Sequence, residues 1–404
     1  MQIIPELETG GAELSTIEIA GAIVRAGGRA IVLSEGGQLV ARLEAAGGEL
    51  VPFPAKTKNP FRLALNARRI RRMIAEEGVD LVHARSRAPA WSARSAARAA
   101  GVPFVTTYHG IYKENSALKK AYNRVMAEGD VVIANSGYTA EIIRTRYQLP
   151  ENRLVIIHRG VDTAVFDPAA VSADRKVALR RAWGLPPDLP IVLHAARLSK
   201  WKGQSVVIEA ARRLCATMPA TPFVVVLAGS EQGRDAYRSE LERLVEAAGL
   251  GDVVRLPGHV ADMAAAMAIA DVAVVASVEP EAFGRTAIEA QAMGCPVIAT
   301  AHGAPAETVI ATPEDARSGW LVAPGDPGPL AEAIGAALAL APADRSAMGT
   351  RGRANVLQDF TLEAMRTRTL EVYDRLLGSD LAASYVAADP QSRLVTRPPG
   401  PGLA

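Results

Sequence analysis

Two glutamates eight positions apart, Glu281 and Glu289, enclose Ala-Phe-Gly-Arg-Thr-Ala-Ile, and this stretch carries the strongest chemical signal in the chain. An apolar, strand-like run, Asp271–Ser277, precedes it, and a helix ending at Gly294 follows before a further strand-like run. One carboxylate therefore lies in a loop and the other inside a helix. A loop feeding a helix start offers free backbone N–H groups and positive dipole character, which suits a phosphate. Carboxylates flanking it cannot hold the phosphate, but they accept hydrogen bonds from sugar hydroxyls. Anion and polyol recognised at one place point to a sugar nucleotide.

A second constellation is His194-Ala-Ala-Arg197-Leu-Ser-Lys-Trp-Lys202-Gly203, which leaves the end of a strand and precedes a helix over 205–214. Arg197 and Lys202 stand where a diphosphate would sit, and two cations there neutralise it as its bond to the sugar breaks. Each charge-assisted contact of this kind contributes about 1.5–3 kcal/mol. A third is Thr9-Gly10-Gly11-Ala12, opening a helix from about Leu14. Paired glycines let the backbone approach a ligand or take positive φ. The third glycine of a dinucleotide fingerprint is missing, and no acidic residue ends the next strand to hold a ribose, which counts against a nicotinamide enzyme. The fourth is Thr106-Thr-Tyr-His109-Gly110, with His109 at a strand's carboxyl end. Phosphate-loop, metalloprotease and hydrolase nucleophile motifs are absent from the sequence, as is a Cys/His metal cluster.

These residues need elements to carry them. Strand-like runs at 29–33, 80–83, 103–107 and 130–134 alternate with helical segments at 14–26, 63–77 and 91–100. A second series runs through 190–194, 223–228, 253–256, 272–276 and 296–299. Strands alternating with helices imply parallel sheets covered on both faces, with ligands at the carboxyl ends of the strands. Two series in 404 residues give two domains. The expected boundaries are 1–166 for the first and 167–361 for the second, with a helix at 362–377 after the second sheet. The Ala-, Ser-, Pro- and Gly-rich tail, 385–404, reads as disordered. Residues 1–166 hold 22 Lys and Arg against 16 Asp and Glu, net +6, whereas the remainder nets −4. A basic first half favours an anionic acceptor or surface. No apolar run is long enough for a membrane helix and no signal peptide is evident, so a cytoplasmic protein with reduced Cys215 and Cys295 is expected.

The Glu281–Glu289 segment resembles the E-x7-E motif of the retaining family 4 glycosyltransferases, and the similarity extends over roughly residues 5–377. Arg197 and Lys202 match that family's G-R-L-x(n)-K-G pattern, with Ala196 in place of its glycine. Thr9–Ala12 resembles the family's N-terminal Gly-Gly turn. Ile157-His-Arg-Gly-Val-Asp162 resembles its N-G-V-D segment, with Arg159 in place of Asn, and carries no catalytic assignment. Leu-Val-His83-Ala-Arg85 resembles its acceptor-side D-V-V-H-x-H, with Arg85 replacing the second His. The resemblance implies a GT-B fold: two doubly wound Rossmann-like domains facing a deep cleft, the 362–377 helix crossing back onto the first.

It also implies retaining, metal-independent transfer of a sugar from a UDP-, GDP- or ADP-sugar to an acceptor hydroxyl, with no cofactor. His109, Glu281, Arg197 and Lys202 would be catalytic, and Gly10, Gly11, Gly229, Phe283, Gly284, Arg285 and Glu289 would bind the donor. Glu281 would hold donor-sugar hydroxyls and Glu289 the ribose. The expected acceptor is a glycan or glycolipid of the bacterial envelope, of the lipopolysaccharide type. A nucleotide-sugar 2-epimerase and a non-catalytic sugar-nucleotide-binding protein are the alternatives.

Lys56, Lys58, Arg62, Arg68, Arg69, Arg71 and Arg72 interleave with Leu63, Leu65, Ile70, Met73 and Ile74 in a basic amphipathic segment. Its two readings are an ordinary surface helix and a patch for anionic lipid on the cytoplasmic face of the inner membrane, where each cation adds about 1 kcal/mol. Nucleic acid is not expected, because no stacking aromatics interleave the arginines.

Overall fold

The computed structural model describes residues 1–388 except Thr9, Lys113, Pro187 and Thr221. Its contacts divide the chain into two compact units, Met1–Arg159 with the segment from Leu362 onward, and Gly160–Thr361.

Among the described residues the first unit is built on seven parallel strands: β1 (Gln2–Ile3), β2 (Ile31–Ser34), β3 (Glu49–Pro52), β4 (Val82–Ala84), β5 (Phe104–Tyr108), β6 (Val131–Ala134) and β7 (Leu154–Ile156). Their spatial order is β3-β2-β1-β4-β5-β6-β7. The second unit has six: β8 (Ile191–Ala195), β9 (Val224–Ala228), β10 (Val254–Gly258), β11 (Val272–Val275), β12 (Val297–Thr300) and β13 (Gly319–Val322), ordered β10-β9-β8-β11-β12-β13. Every pairing is parallel. Near-continuous Val/Ile/Leu runs suit strands covered on both faces, and the two-residue period sorts them. Ile191, Leu193 and Ala195 enter one hydrophobic cluster of the second unit and Val192 the other. Each unit is therefore the doubly wound α/β domain expected from the sequence. In each sheet the strand order reverses beside the first strand, at β1/β4 and at β8/β11, and such switch points are where ligands bind.

Helices begin earlier than periodicity alone placed them. The helix expected from Leu63 spans Pro60–Glu76, because Asn59 Oδ1 accepts from Phe61 N at 3.0 Å and from Arg62 N at 3.2 Å. A capping Asn followed by Pro in the first turn is a favourable helix start. Strands β1, β3, β7 and β13 were not anticipated.

The boundary differs from 166/167. Val161 and Phe166 pack with Trp183 and Leu193 in the core of the second unit, so residues 160–166 belong there. The helix Leu362–Leu377 lies where expected and packs on the first unit, with Leu370 and Tyr373 joining Ile19, Val105 and Ile133 in one cluster.

The tail expected to be disordered from 385 begins instead inside a helix, Leu381–Ala387. Tyr385 is 1% exposed, its ring faces the Arg25 guanidinium at 4.4 Å, and its hydroxyl accepts from Arg366 Nη1 at 3.3 Å. Residues 389–404 lie outside the described residues. Burial of Tyr385 predicts that truncation after Asp380 destabilises the first unit by about 3–5 kcal/mol, the usual effect of removing a buried aromatic side chain. Thermal unfolding of the truncated chain checks this, and an unchanged midpoint would contradict it.

Candidate active site

In the second unit the β8 and β11 ends bring the strongest sequence signals together. Beyond β8 the chain runs through Arg197 to a short 3-10 turn, Lys200–Lys202, and then the helix Gln204–Thr217. Beyond β11 it passes Ser277 and Glu281 to Gly284 and the helix Arg285–Ala292. Lys202 Nζ meets Glu281 Oε1 at 2.7 Å, with side-chain exposures of 15% and 9%. Ser277 Oγ donates to the same carboxylate oxygen. Burial pulls the Lys202 ammonium below the usual lysine range, Glu281 opposes that shift, and the Arg197 charge adds to it. A largely desolvated cation beside a carboxylate is a poised site for a polyanion and its attached polyol.

Gly203 makes this meeting possible. Its φ is +77°, and a Cβ there would overlap the carbonyl of Ala276, so the turn after Lys202 lies directly against the end of β11. Further ties lock the strand ends. His194 Nδ1 donates to Val274 O at 2.9 Å, Thr286 Oγ1 to Ala195 O at 3.1 Å, and His302 Nε2 to Ser277 O at 2.8 Å. An isolated bridge pairs Glu281 with Gly303. Ser277, Thr286, His302 and Gly303 escaped the sequence reading, because only the fold brings His302 to the Ser277 carbonyl and Gly303 to Glu281.

The other expected donor-binding residues fall into distinct settings. Arg197 is exposed and its Nη1 donates to Gln232 Oε1 at 3.2 Å, so it is not drawn into the Lys202–Glu281 pair. Gly229 follows β9, and its N–H donates to Gly258 O at 2.8 Å. Gly284 caps the Arg285–Ala292 helix at φ +80°. Among the described residues neither that helix nor Gln204–Thr217 has a side-chain cap, which leaves first-turn N–H groups for an anion. The Phe283 side chain is 4% exposed and tilted against Phe360 at 6.3 Å, which leaves only its backbone for the expected contact with a diphosphate. Glu289 Oε1 pairs with Arg285 Nη2 at 3.2 Å one helical turn away. Burial raises the Glu289 carboxyl and Arg285 counters it.

In the first unit His109 follows β5 and faces a small cavity lined by Ser15, Arg85, Thr107, Asn135 and Arg159 together with apolar side chains such as Ile133 and Met365. Arg159 Nη2 lies 2.7 Å from His109 Nδ1, and its Nη1 donates to Ser15 Oγ at 3.2 Å and to Gly11 O. Gly10 and Gly11 serve differently from the expected turn. Gly10, at φ −113°, caps the Gly11–Arg25 helix, and Gly11 has no positive φ. A Cβ on Gly11 would come within 2.8 Å of Arg159 Nη1, so the missing side chain makes room for that guanidinium. His83 is a core residue, its Nδ1 at 2.6 Å from Tyr373 Oη and its Nε2 at 2.7 Å from Thr107 Oγ1. Arg85 is buried, with the Gln2 side-chain oxygen as its partner at 2.8 Å from Nε. Arg159 was assigned no part from sequence, since its partners lie 50 and 148 positions away.

The basic segment forms the exposed face of Pro60–Glu76. Lys56, Lys58, Arg62, Arg68, Arg69, Arg71 and Arg72 are all exposed, and Lys56 also pairs with Glu6 at 2.5 Å. Phe61 is 86% and Leu65 46% exposed on the same helix. No described helix is long and apolar enough to cross a membrane.

Known protein families match both units. The family model described as Glycosyltransferase Family 4 matches residues 9–165, and that described as Glycosyl transferases group 1 matches residues 176–355. The chain is 34% identical over 302 residues to the D-inositol 3-phosphate glycosyltransferase 2 of Catenulispora acidiphila, covering 70% of this chain and 68% of that protein. A glycosyltransferase structure from Rickettsia africae ESF-5 superposes with a TM-score of 0.85 at 32% identity, covering 94% and 99% of the two chains. HepE of Anabaena, solved in complex with UDP-glucose, superposes with a TM-score of 0.78 at 26% identity, over 93% and 99%.

Proposed function

The chain belongs to the family 4, group 1 glycosyltransferases, and from that premise we propose that it moves a sugar from UDP-sugar to an acceptor hydroxyl with retention of configuration. The observation that carries the reading is the Lys202–Glu281–Ser277 cluster at the β8/β11 switch point, beside two helix starts without side-chain caps. UDP is the favoured carrier because HepE, similar in fold and sequence, was solved with UDP-glucose.

In the proposed reaction the bond between the sugar's C1 and the diphosphate oxygen breaks, and a bond from C1 to the acceptor oxygen forms on the same face. The acceptor's proton passes to a phosphate oxygen. Lys202, Arg197 and the amides at Gly284–Thr286 hold the departing diphosphate and take the part a metal plays elsewhere. Glu281 holds the sugar hydroxyls, and Glu289, steadied by Arg285, serves the ribose. Neither glutamate acts as nucleophile. Glu281 already binds an ammonium and a hydroxyl through Oε1, which lowers its reactivity toward carbon. Gly229 completes the donor-binding set in the second unit. Proton NMR of the first-formed product tests the stereochemistry. An α-linked product from an α-linked donor, formed equally in EDTA, is expected, and a β-linked product or an EDTA-sensitive rate would overturn the corresponding part.

The acceptor we propose is anionic, in keeping with the basic first half of the chain. A lipid-linked envelope glycan is the first reading, because Phe61 and Leu65 stand exposed among arginines on Pro60–Glu76. Such a face binds the surface of an anionic bilayer through apolar insertion and charge together. A phosphorylated polyol is the second, from the name of the Catenulispora relative. Co-sedimentation with vesicles separates them. Retention on anionic but not zwitterionic lipid, abolished in Phe61→Ser/Arg69→Glu, is expected of the first reading, and no retention would leave the second. Since the curated relatives are named glycosyltransferases, the epimerase alternative is not favoured.

A further inference from the structure

Arg159 carries no assigned role, yet it is 7% exposed and lies in the first unit against the residue to which the sequence points most directly there. A guanidinium has five N–H donors and no acceptor. Its Nη2, 2.7 Å from His109 Nδ1, can only donate, so Nδ1 must present its lone pair. The ring proton of neutral His109 then sits on Nε2. In imidazole the bond made at one nitrogen decides the tautomer at the other. The guanidinium is itself held at Gly11 O and Ser15 Oγ, and Gly11 lacks the side chain that would displace it.

What the fixed proton faces is the second observation. His109 Nε2 is shielded from solvent and has no partner among the described residues. Asn135, 2% exposed at the end of β6, has both side-chain polar atoms likewise without partner, and it lines the same cavity. Buried polar groups are ordinarily satisfied. The cavity holds about 20 Å3, room for one or two atoms the size of water oxygen. A donor fixed on His109, and an amide that both donates and accepts, match a hydroxyl, which also does both.

We propose that Arg159 is a positioning residue that holds His109 in its Nε2–H tautomer, and that His109 and Asn135 together form a subsite for one sugar or polyol hydroxyl. His109 in this arrangement is a neutral hydrogen-bond donor rather than a base. Burial and the neighbouring Arg159 and Arg85 charges hold its pKa well below the usual histidine range, in agreement with the geometry. The hydroxyl comes either from the transferred sugar or from the acceptor.

The subsite rests on the glycosyl-transfer reading, but the tautomer does not. Long-range proton–nitrogen NMR of the full, histidine-labelled chain, with His109→Gln to assign the signals, reads it without any substrate. A pyridine-type Nδ1 and a protonated Nε2 are expected, giving way in Arg159→Met to a tautomer mixture or to imidazolium. A proton on Nδ1 in the wild-type chain, or an unchanged spectrum in Arg159→Met, overturns the role of Arg159. If that variant does not fold, the wild-type spectrum alone decides. For the subsite, Asn135→Ala should lower kcat/KM about three- to tenfold, as loss of one neutral hydrogen bond does, while UDP still shifts the melting temperature. A raised KM for the donor sugar assigns the hydroxyl to the donor, and a raised KM for the acceptor assigns it to the acceptor. Unchanged kinetics overturn the subsite, whereas failure of the wild-type chain to bind UDP would instead bring down the transfer reading.

Discussion

Lys202→Ala and Glu281→Ala each lower sugar transfer by about ten- to a hundredfold, the range given by losing one charge-assisted contact of 1.5–3 kcal/mol in the transition state. The two losses have different signatures. Lys202 is the cation nearest the buried carboxylate, so its removal weakens UDP itself. Glu281 faces the sugar in the proposed arrangement, so its removal spares UDP and lowers turnover of the UDP-sugar. Both variants break a pair that is largely out of water, and Lys202→Ala leaves the Glu281 carboxylate with Ser277 as its closest support. Breaking one partner of such a pair costs about 3–5 kcal/mol, which lowers the melting temperature without unfolding a domain of ordinary stability. Turnover is therefore measured well below the midpoint. Normal turnover in either variant would remove the role given to that residue.

Gly203→Ala lowers stability and binding together. A non-glycine residue at φ +77° costs about 1–2 kcal/mol, and the new methyl would overlap the carbonyl of Ala276. Overpacking against backbone adds about 1–3 kcal/mol, so the second unit loses about 2–5 kcal/mol. The same turn carries Lys202 toward Glu281, so UDP binding falls with it. Chemical denaturation followed by UDP titration checks both, and wild-type values for both would show that the turn does not position the cation.

The residues that carry the chemistry were more legible than their partnerships. Spacing alone placed Glu281 in a loop after a strand and Lys202 after another, and each lies there. That the two meet depended on β8 and β11 being neighbours across 80 positions, a matter of topology rather than local pattern. The Phe283 side chain is drawn into the core, which is compatible with the backbone part its place in the motif suggested. Arg159 was passed over because it replaces an asparagine in a segment that only the fold returns to His109. The expected paired-glycine turn concealed a packing reason, since Gly11 yields space to a side chain far along the chain. Strand β3 was missed because its residues are part-exposed and short, leaving little apolar periodicity to read.

Calorimetric titration of the full chain with UDP, GDP and ADP, each with and without EDTA, tests the central claim most directly. UDP is expected to bind in preference to the other two, unaffected by EDTA and more weakly in Lys202→Ala. Absence of binding by any nucleoside diphosphate, or equal UDP affinity in Lys202→Ala, would contradict it.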